Sequence, residues 1–171
     1  MFDINIDIDD INISSIEKED IISLQQWINF QNYNFKDKEK PLDLKEFYER
    51  FLEYYVSEGE FFLKINKDDK LIGVLKGRIE FKSSSEVWFW YFLLDNEYRH
   101  KGIGNSIIKA IQNYFYQGFG INDFYTGVCE LDTKVLKFLK KNEFKLVRVS
   151  KGFFNVNKQD KDMLILKKQL V

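Results

Sequence analysis

The sequence predicts an α/β (α+β) protein: a single domain across residues 1–171, with a central mixed, mostly antiparallel sheet of six or seven strands flanked by about four helices. Three observations carry that reading. Stretches of period-two apolar alternation and stretches of helical periodicity follow one another along the whole chain. The run Val87–Leu94 is almost continuously apolar, as in a strand buried on both faces in the middle of a sheet. Immediately after it, Glu97-Tyr98-Arg99-His100-Lys101-Gly102-Ile103-Gly104-Asn105 leads into a helical pattern of Ile103, Ile107, Ile108, Ile111, Tyr114 and Phe115. A length of 171 residues suits one hydrophobic core.

From the amino terminus, Ile4, Ile6 and Ile8 alternate with Asn5, Asp7 and Asp9 as in a half-buried strand, with Ile11 and Ile13 as its continuation. Ser14 and Ser15 mark a turn. A helix over about Glu19–Phe30 follows from Ile21, Leu24 and Ile28, with Trp27 and Phe30 beside them. The polar stretch Gln31–Lys40 and Pro41 precede a second helix, which starts on the capping pair Asp43 and Glu46. Its apolar stripe is Leu44, Phe47, Tyr48, Phe51, Leu52 and Tyr55, and Gly59 is its stop. Phe61–Ile65 and Leu71–Phe81 form a hairpin across Asn66–Lys70, where Gly73 and Gly77 predict a bulge or a close backbone approach. Ser83-Ser84-Ser85 is the turn before the central strand. Gly118 and Gly120 end the helix after the glycine motif, and Asp123–Glu130 is the next strand. Asp132 caps a short helix, Thr133–Asn142, whose apolar face is Val135, Leu136, Phe138 and Leu139. Phe144–Val149 and Met163–Leu166 close the sheet as an antiparallel pair across a Ser150–Asp162 connection.

Composition narrows the function classes. Cys129 is the sole cysteine, which excludes an internal disulfide and most cysteine zinc sites and suits a reducing compartment. Met1-Phe2-Asp3-Ile4-Asn5 is acidic where a secretory signal would be basic, and no apolar run approaches a membrane span, so a soluble, cytoplasmic protein is expected. Net charge is −1, yet residues 1–60 hold 15 acids and 6 bases while residues 61–171 hold 12 acids and 20 bases. A basic half suits a phosphate-bearing cofactor and an acidic half a cationic acceptor; the alternative is that these charges only solvate the surface. The basic residues are scattered rather than gathered on one helix, which argues against nucleic acid as a partner.

The glycine motif carries the chemistry. Gly102 and Gly104 let backbone N–H groups approach a ligand, and the start of a helix adds unsatisfied donors and a positive dipole end. A dinucleotide fingerprint would need a third glycine where Ile107 stands, and no Gly-Lys-Ser/Thr phosphate loop occurs. Arg99-x-x-Gly102-x-Gly104, preceded by Phe92-Leu93-Leu94-Asp95, resembles the acyl-CoA pyrophosphate loop of the GNAT superfamily of N-acetyltransferases. The expected element order, β-α-α-β-β-β-α-β-α-β-β, matches that fold over essentially the whole chain.

The resemblance implies acetyl-CoA as cosubstrate and an amine as acceptor, with no metal. It implies that Phe92, Leu93 and Leu94 hold the pantetheine arm as an added strand would. The Leu94 N–H then lies near the thioester carbonyl, where it stabilises the developing oxyanion. Arg99, His100, Lys101, Gly102, Ile103, Gly104 and Asn105 would hold the pyrophosphate; Lys101 and Lys140 would add charge there, or else be ordinary solvated lysines. The fold places its first two helices on the acceptor side, so Trp27, Tyr33 or Tyr54 would face the substrate unless they are core. Val128–Phe144 is similar to the second family motif, V-x-x-x-N-x-x-A-x-x-x-Y-x-x-x-G-F, with Asp132 at the asparagine, placing it beside the cofactor. Val135 stands for the alanine, Glu143 for the glycine and Leu139 for the tyrosine acid. Leucine cannot donate a proton, so Tyr125 or Cys129, or water, must do so. Glu86 is the first candidate base, with a solvated strand-end acid as its alternative; His100 lies inside the loop, where its backbone matters more than its ring. Gly127 stands where the branch acetylating ribosomal-protein N-termini carries a glutamate, which argues against that substrate. Cys129 as a nucleophile lacks an evident partner, so a structural thiol is the simpler role.

These features converge on an acetyl-CoA-dependent N-acetyltransferase acting on a small cationic amine, as a monomer or homodimer. A protein or peptide amine is the alternative acceptor. A non-catalytic acyl-CoA binding or sensing module is the contrasting class.

Overall fold

The computed structural model describes residues 2–34 and 40–171. Among these, the chain runs β1 (Asn5–Ile8), β2 (Ile11–Ser15), α1 (Ile21–Asn34), α2 (Leu44–Val56), β3 (Glu60–Lys67), β4 (Lys70–Glu80) and β5 (Glu86–Leu94). It continues with α3 (Ile103–Phe119), β6 (Asp123–Cys129), α4 (Thr133–Lys141), β7 (Lys145–Val156) and β8 (Gln159–Gln169), and 3₁₀ turns occupy Lys18–Asp20 and Asn96–Tyr98. The strands form one sheet in the order β1-β2-β3-β4-β5-β6-β8-β7. The β5–β6 ladder is parallel, whereas β1–β2, β2–β3, β6–β8 and β7–β8 are antiparallel. A mixed, mostly antiparallel sheet with four helices is the class the sequence predicts; the strand count is eight rather than six or seven.

The extra strand arises at the amino terminus. What reads as one strand through Ile13 is a hairpin, with Asn5↔Ser14 and Ile8↔Ile11 paired and Asp9 at φ 50° in the turn. Ser14 and Ser15 are therefore strand, not turn. Ser15 is buried because its hydroxyl accepts the Ile4 N–H at 2.9 Å and donates to the Phe2 carbonyl at 3.0 Å. The first helix extends four residues beyond Phe30; of the expected polar stretch, residues 35–39 lie outside the described residues.

The chain divides into two compact units. The first holds Met1–Lys76 and Tyr91–Gly104. Its core joins Ile21, Leu24 and Ile28 of α1 to Phe47, Phe51 and Tyr54 of α2 and to Phe62 and Val74 of the sheet. The Asp43 carboxylate caps α2 by accepting the Glu46 N–H at 3.0 Å. The buried face of α2 is narrower than its sequence stripe: Leu44, Leu52 and Tyr55 are exposed and Tyr54 is enclosed. Each fully buried ring of this kind contributes about 1.5–3 kcal/mol. Asp68 and Asp69 turn β3 into β4 with both φ values positive (48° and 61°), the twist that a two-residue hairpin turn needs. Gly73 is a close approach, since a Cβ there would stand 2.9 Å from the Leu93 carbonyl oxygen.

The second unit holds Gly77–Trp90 and Asn105–Val171. Ile107, Ile108, Ile111 and Phe115 are the buried face of α3. Phe89 and Phe124 stack across the parallel ladder with centroids 5.9 Å apart. Burial of the central strand is incomplete, because Trp90 and Tyr91 are exposed. Gly118 is helical; the stop is Gly120, at φ 67°. The expected Ser150–Asp162 connection is instead ladder, with Phe154↔Lys161 and Val156↔Gln159 paired about the turn residues Asn157 and Lys158.

Candidate active site

In the first unit, the end of β5 is fixed from three directions. The Asp95 N–H donates to the Ile72 carbonyl at 2.7 Å, Gly73 admits β4 against Leu93, and the Arg99 Nε donates to the Leu94 carbonyl at 2.7 Å. Leu94 is buried and is the last residue of the strand. The Asp95 carboxylate accepts the Glu97 N–H at 3.0 Å and the Gln31 amide at 2.9 Å, locking the 3₁₀ turn that follows. The chain then turns through His100 (φ 61°) and Gly102 (φ 82°) into α3 at Ile103. A histidine in the left-handed region marks a backbone-determined position. No atom outside the immediate chain lies within 4 Å of where a Gly102 Cβ would sit, so open space faces the turn. Successive N–H groups at a helix start, beside open space, suit a polyanion. Burial depresses the Arg99 guanidinium pKa against the opposing charges of Asp95 and Tyr91, and its inward Nε braces the strand end. Lys101 is exposed, with its Nζ 6.0 Å from the Tyr98 ring centre. Phe92 and Leu93 precede Leu94 in β5, and Leu93 packs on the α1–α2 core.

In the second unit, Asn142 is a residue that the sequence reading passed over. Its buried amide donates to the Asn105 side-chain oxygen Oδ1 at 2.9 Å and to the Phe138 backbone carbonyl at 2.9 Å, tying the end of α4 to the first turn of α3. The signal for it is the neighbouring Glu143, whose φ of 67° explains why a glycine suits that position. Asp132 occupies the N-cap position of α4, but its carboxylate makes no capping bond, contrary to expectation. Leu139 is the buried residue of α4, facing the core; Val135 and Lys140 are exposed.

The proton-transfer candidates are not gathered together. Glu86 accepts from Lys82 at 2.6 Å and from the Trp88 indole at 2.9 Å. Burial pulls its pKa up, but the bonds from Lys82 and Trp88 and the charges of Lys82 and Lys167 outweigh burial and leave it below the ordinary value. At the usual strand rise, the eight residues from Glu86 to Leu94 span about 26 Å. Both facts weigh against the expectation that Glu86 is the base. Tyr125 pairs with Trp88 in the ladder and stacks on it at 4.9 Å, with Lys167 5.3 Å from its ring, so it belongs to the same end of the strand. Cys129, a free, half-buried thiol opposite Met163, ends β6. A side chain at Gly127 would meet the Met163 sulfur at 2.8 Å. Of the aromatic candidates, Tyr54 is 1% exposed with its hydroxyl on the Phe62 carbonyl, and burial raises its pKa; it is core. Tyr33 projects to solvent, and Trp27 lines a cavity beside Asp95. No cluster of metal-ligating side chains and no helix long and apolar enough to cross a membrane occurs among the described residues.

The family model for the acetyltransferase (GNAT) domain matches residues 13–165. The acetyltransferase PseH of Campylobacter jejuni is 25% identical over 147 residues, covering 85% of this chain and 89% of that protein. Among solved structures, a Salmonella typhimurium acetyltransferase that modifies the N-terminal serine of ribosomal protein L7/L12 superposes with a TM-score of 0.83 at 14% identity, covering 96% of this chain and 97% of that one. The Vibrio cholerae spermidine N-acetyltransferase in complex with CoA and spermine gives 0.78 at 16% identity, covering 95% and 96%. With a family model matched over most of its length, and with the strand–turn–helix geometry to match, the chain belongs to the GNAT acetyltransferase family.

Proposed function

We propose that the protein is an acetyl-CoA-dependent N-acetyltransferase in which a small cationic amine, once neutral, attacks the thioester directly. The observation that carries this reading is the braced end of β5 running into the Arg99–Asn105 turn, with positive φ at His100 and Gly102 and open space beside Gly102. In this reading Phe92, Leu93 and Leu94 hold the pantetheine arm. Arg99, His100, Lys101, Gly102, Ile103, Gly104 and Asn105 hold the pyrophosphate through backbone N–H groups, and Asp132 lies beside the cofactor. The Leu94 N–H stabilises negative charge developing on the thioester oxygen. The new C–N bond forms as the C–S bond breaks; the amine proton passes to water and the thiolate takes one from water. A thiol pKa near 8.5 makes the thiolate an adequate leaving group without a tyrosine acid. Residues 1–171 act as one domain in the cytoplasm.

A small acceptor is favoured over a protein terminus by Gly127, which carries no side chain to serve as the glutamate base of that branch, and whose Cβ position lies 2.8 Å from the Met163 sulfur. The test is thiol release from acetyl-CoA against a panel of small amines and peptides. Amine-dependent release is expected, fastest with small amines. Acetyl-CoA binding without release for any acceptor would favour a sensing module, and release with peptides alone would move the acceptor to protein.

A further inference from the structure

A cavity of 590 Å³ lies wholly within the first unit, lined by Ser23, Trp27, Phe30 and Gln31 of α1, Lys70 and Leu71 of β4, and Asp95, Asn96 and Glu97 after β5. Its size is that of a small-molecule site. Its walls divide by chemistry. Trp27, Phe30 and Leu71 form an apolar side; Asp95 and Glu97 supply carboxylates on the other. Phe30 is 61% exposed although it is a large ring on a long helix, so its face is available to a ligand. Asp95 directly follows Leu94, so the acidic wall begins one Cα step, about 3.8 Å, from the residue assigned to the oxyanion.

The charges set the capacity of the site. Each Asp95 oxygen accepts one hydrogen bond, from Gln31 or from the Glu97 N–H, which leaves lone pairs for a further donor. Glu97 is engaged at 3.6 Å by Lys70, which also lies in the wall. Glu97 is thus balanced by Lys70, while Asp95, whose charge also acts on Arg99, keeps lone pairs for a ligand ammonium. A second cation on the same ligand would meet Lys70 instead of an acid.

We propose that this cavity holds the body of the acceptor and selects a monoamine on an apolar, preferably aromatic, frame over a polyamine. The inference rests on the amine-acceptor reading above and adds its substrate class. The ammonium group binds at the Asp95 wall, and the frame lies against Trp27 and Phe30, where ring contact favours it.

The test is calorimetric titration of the full chain with phenethylamine and, separately, with spermidine. Phenethylamine should bind with one site and about tenfold or more tighter than spermidine, a difference near 1.4 kcal/mol. Phe30→Ala, which removes the apolar wall, and Glu97→Gln, which leaves Lys70 unbalanced to oppose the ammonium, are both at exposed positions and should each weaken phenethylamine by several-fold while the melting temperature stays unchanged. Equal or tighter spermidine binding, no phenethylamine binding at millimolar concentration, or indifference to both variants would overturn the assignment. Thiol release measured on the same samples separates the two claims. Phenethylamine binding without release supports the cavity and contradicts catalysis; release with a KM that Phe30→Ala leaves unchanged supports catalysis and contradicts the cavity.

Discussion

Two single residues show how environment decides a chemical role. Glu86 is an acid at the start of the central strand, which from sequence alone suits a base. Its partners are Lys82 and the Trp88 indole, and they favour the charged form. Because its folded pKa lies below its ordinary value of 4.5, Glu86 stabilises the fold above that pH, and the contribution fades as pH falls through the depressed value. Glu86→Gln should therefore be less stable than the parent at pH 7, with the gap closing in acid; urea titrations at both pH values measure it. A gap that widens on acidification would contradict the assignment. Leu139 is the second case. It is 7% exposed, so a tyrosine there drives a phenol into packed core rather than presenting it to a substrate. Leu139→Tyr should cost about 1–3 kcal/mol by overpacking. A fully stable variant with faster thiol release would show instead that the family acid can be restored by one substitution.

At the scale of elements, turns and edges depart most from expectation. The β1–β2 turn breaks the expected single strand through Ile13, and its trace in the sequence is the switch of isoleucines from even positions (Ile4, Ile6, Ile8) to odd ones (Ile11, Ile13), a change of parity that marks a reversal. The antiparallel pairing of β7 with β8 was legible, but not its continuation through residues 150–162 to a tight turn. Both faces of β7 are largely exposed, so no apolar alternation betrays it. It is held instead by ladder pairing and by Asp162, which accepts from Lys151 at 2.8 Å and from the Gly152 N–H at 3.0 Å. Its turn places Asn157 at φ 51° and Lys158 at φ 62°. Lysine is strained in the left-handed region and Asn-Gly is the preferred pair, so Lys158→Gly should stabilise by about 1 kcal/mol. Chemical denaturation with an unchanged m-value checks it; destabilisation would mean that the Lys158 side chain has a role of its own.

For the molecule as a whole, fold class and the strand–turn–helix at Arg99–Asn105 were readable because each rests on local pattern: periodicity for the elements, and glycine spacing after an apolar run for the turn. Side-chain partnerships between distant segments were not. The Asn142–Asn105 bond joins residues 37 apart, and Gln31–Asp95 residues 64 apart, and neither leaves a trace in spacing. The cavity beside Asp95 escaped for the same reason, since α1, β4 and the turn after β5 each supply part of its wall. In the proposed function, the Arg99–Asn105 turn holds the pyrophosphate of acetyl-CoA. At Gly102 an added Cβ meets nothing within 4 Å, and aspartate adds backbone strain at φ 82° and a negative charge at the proposed pyrophosphate site. The most direct measurement is calorimetric titration of acetyl-CoA into the parent and into Gly102→Asp, with melting temperatures recorded alongside. Saturable one-site binding by the parent, and at least about a hundredfold weaker binding by a folded variant, a difference near 2.7 kcal/mol, is the predicted result. No binding by the parent, or equal affinity in a folded Gly102→Asp, would contradict it.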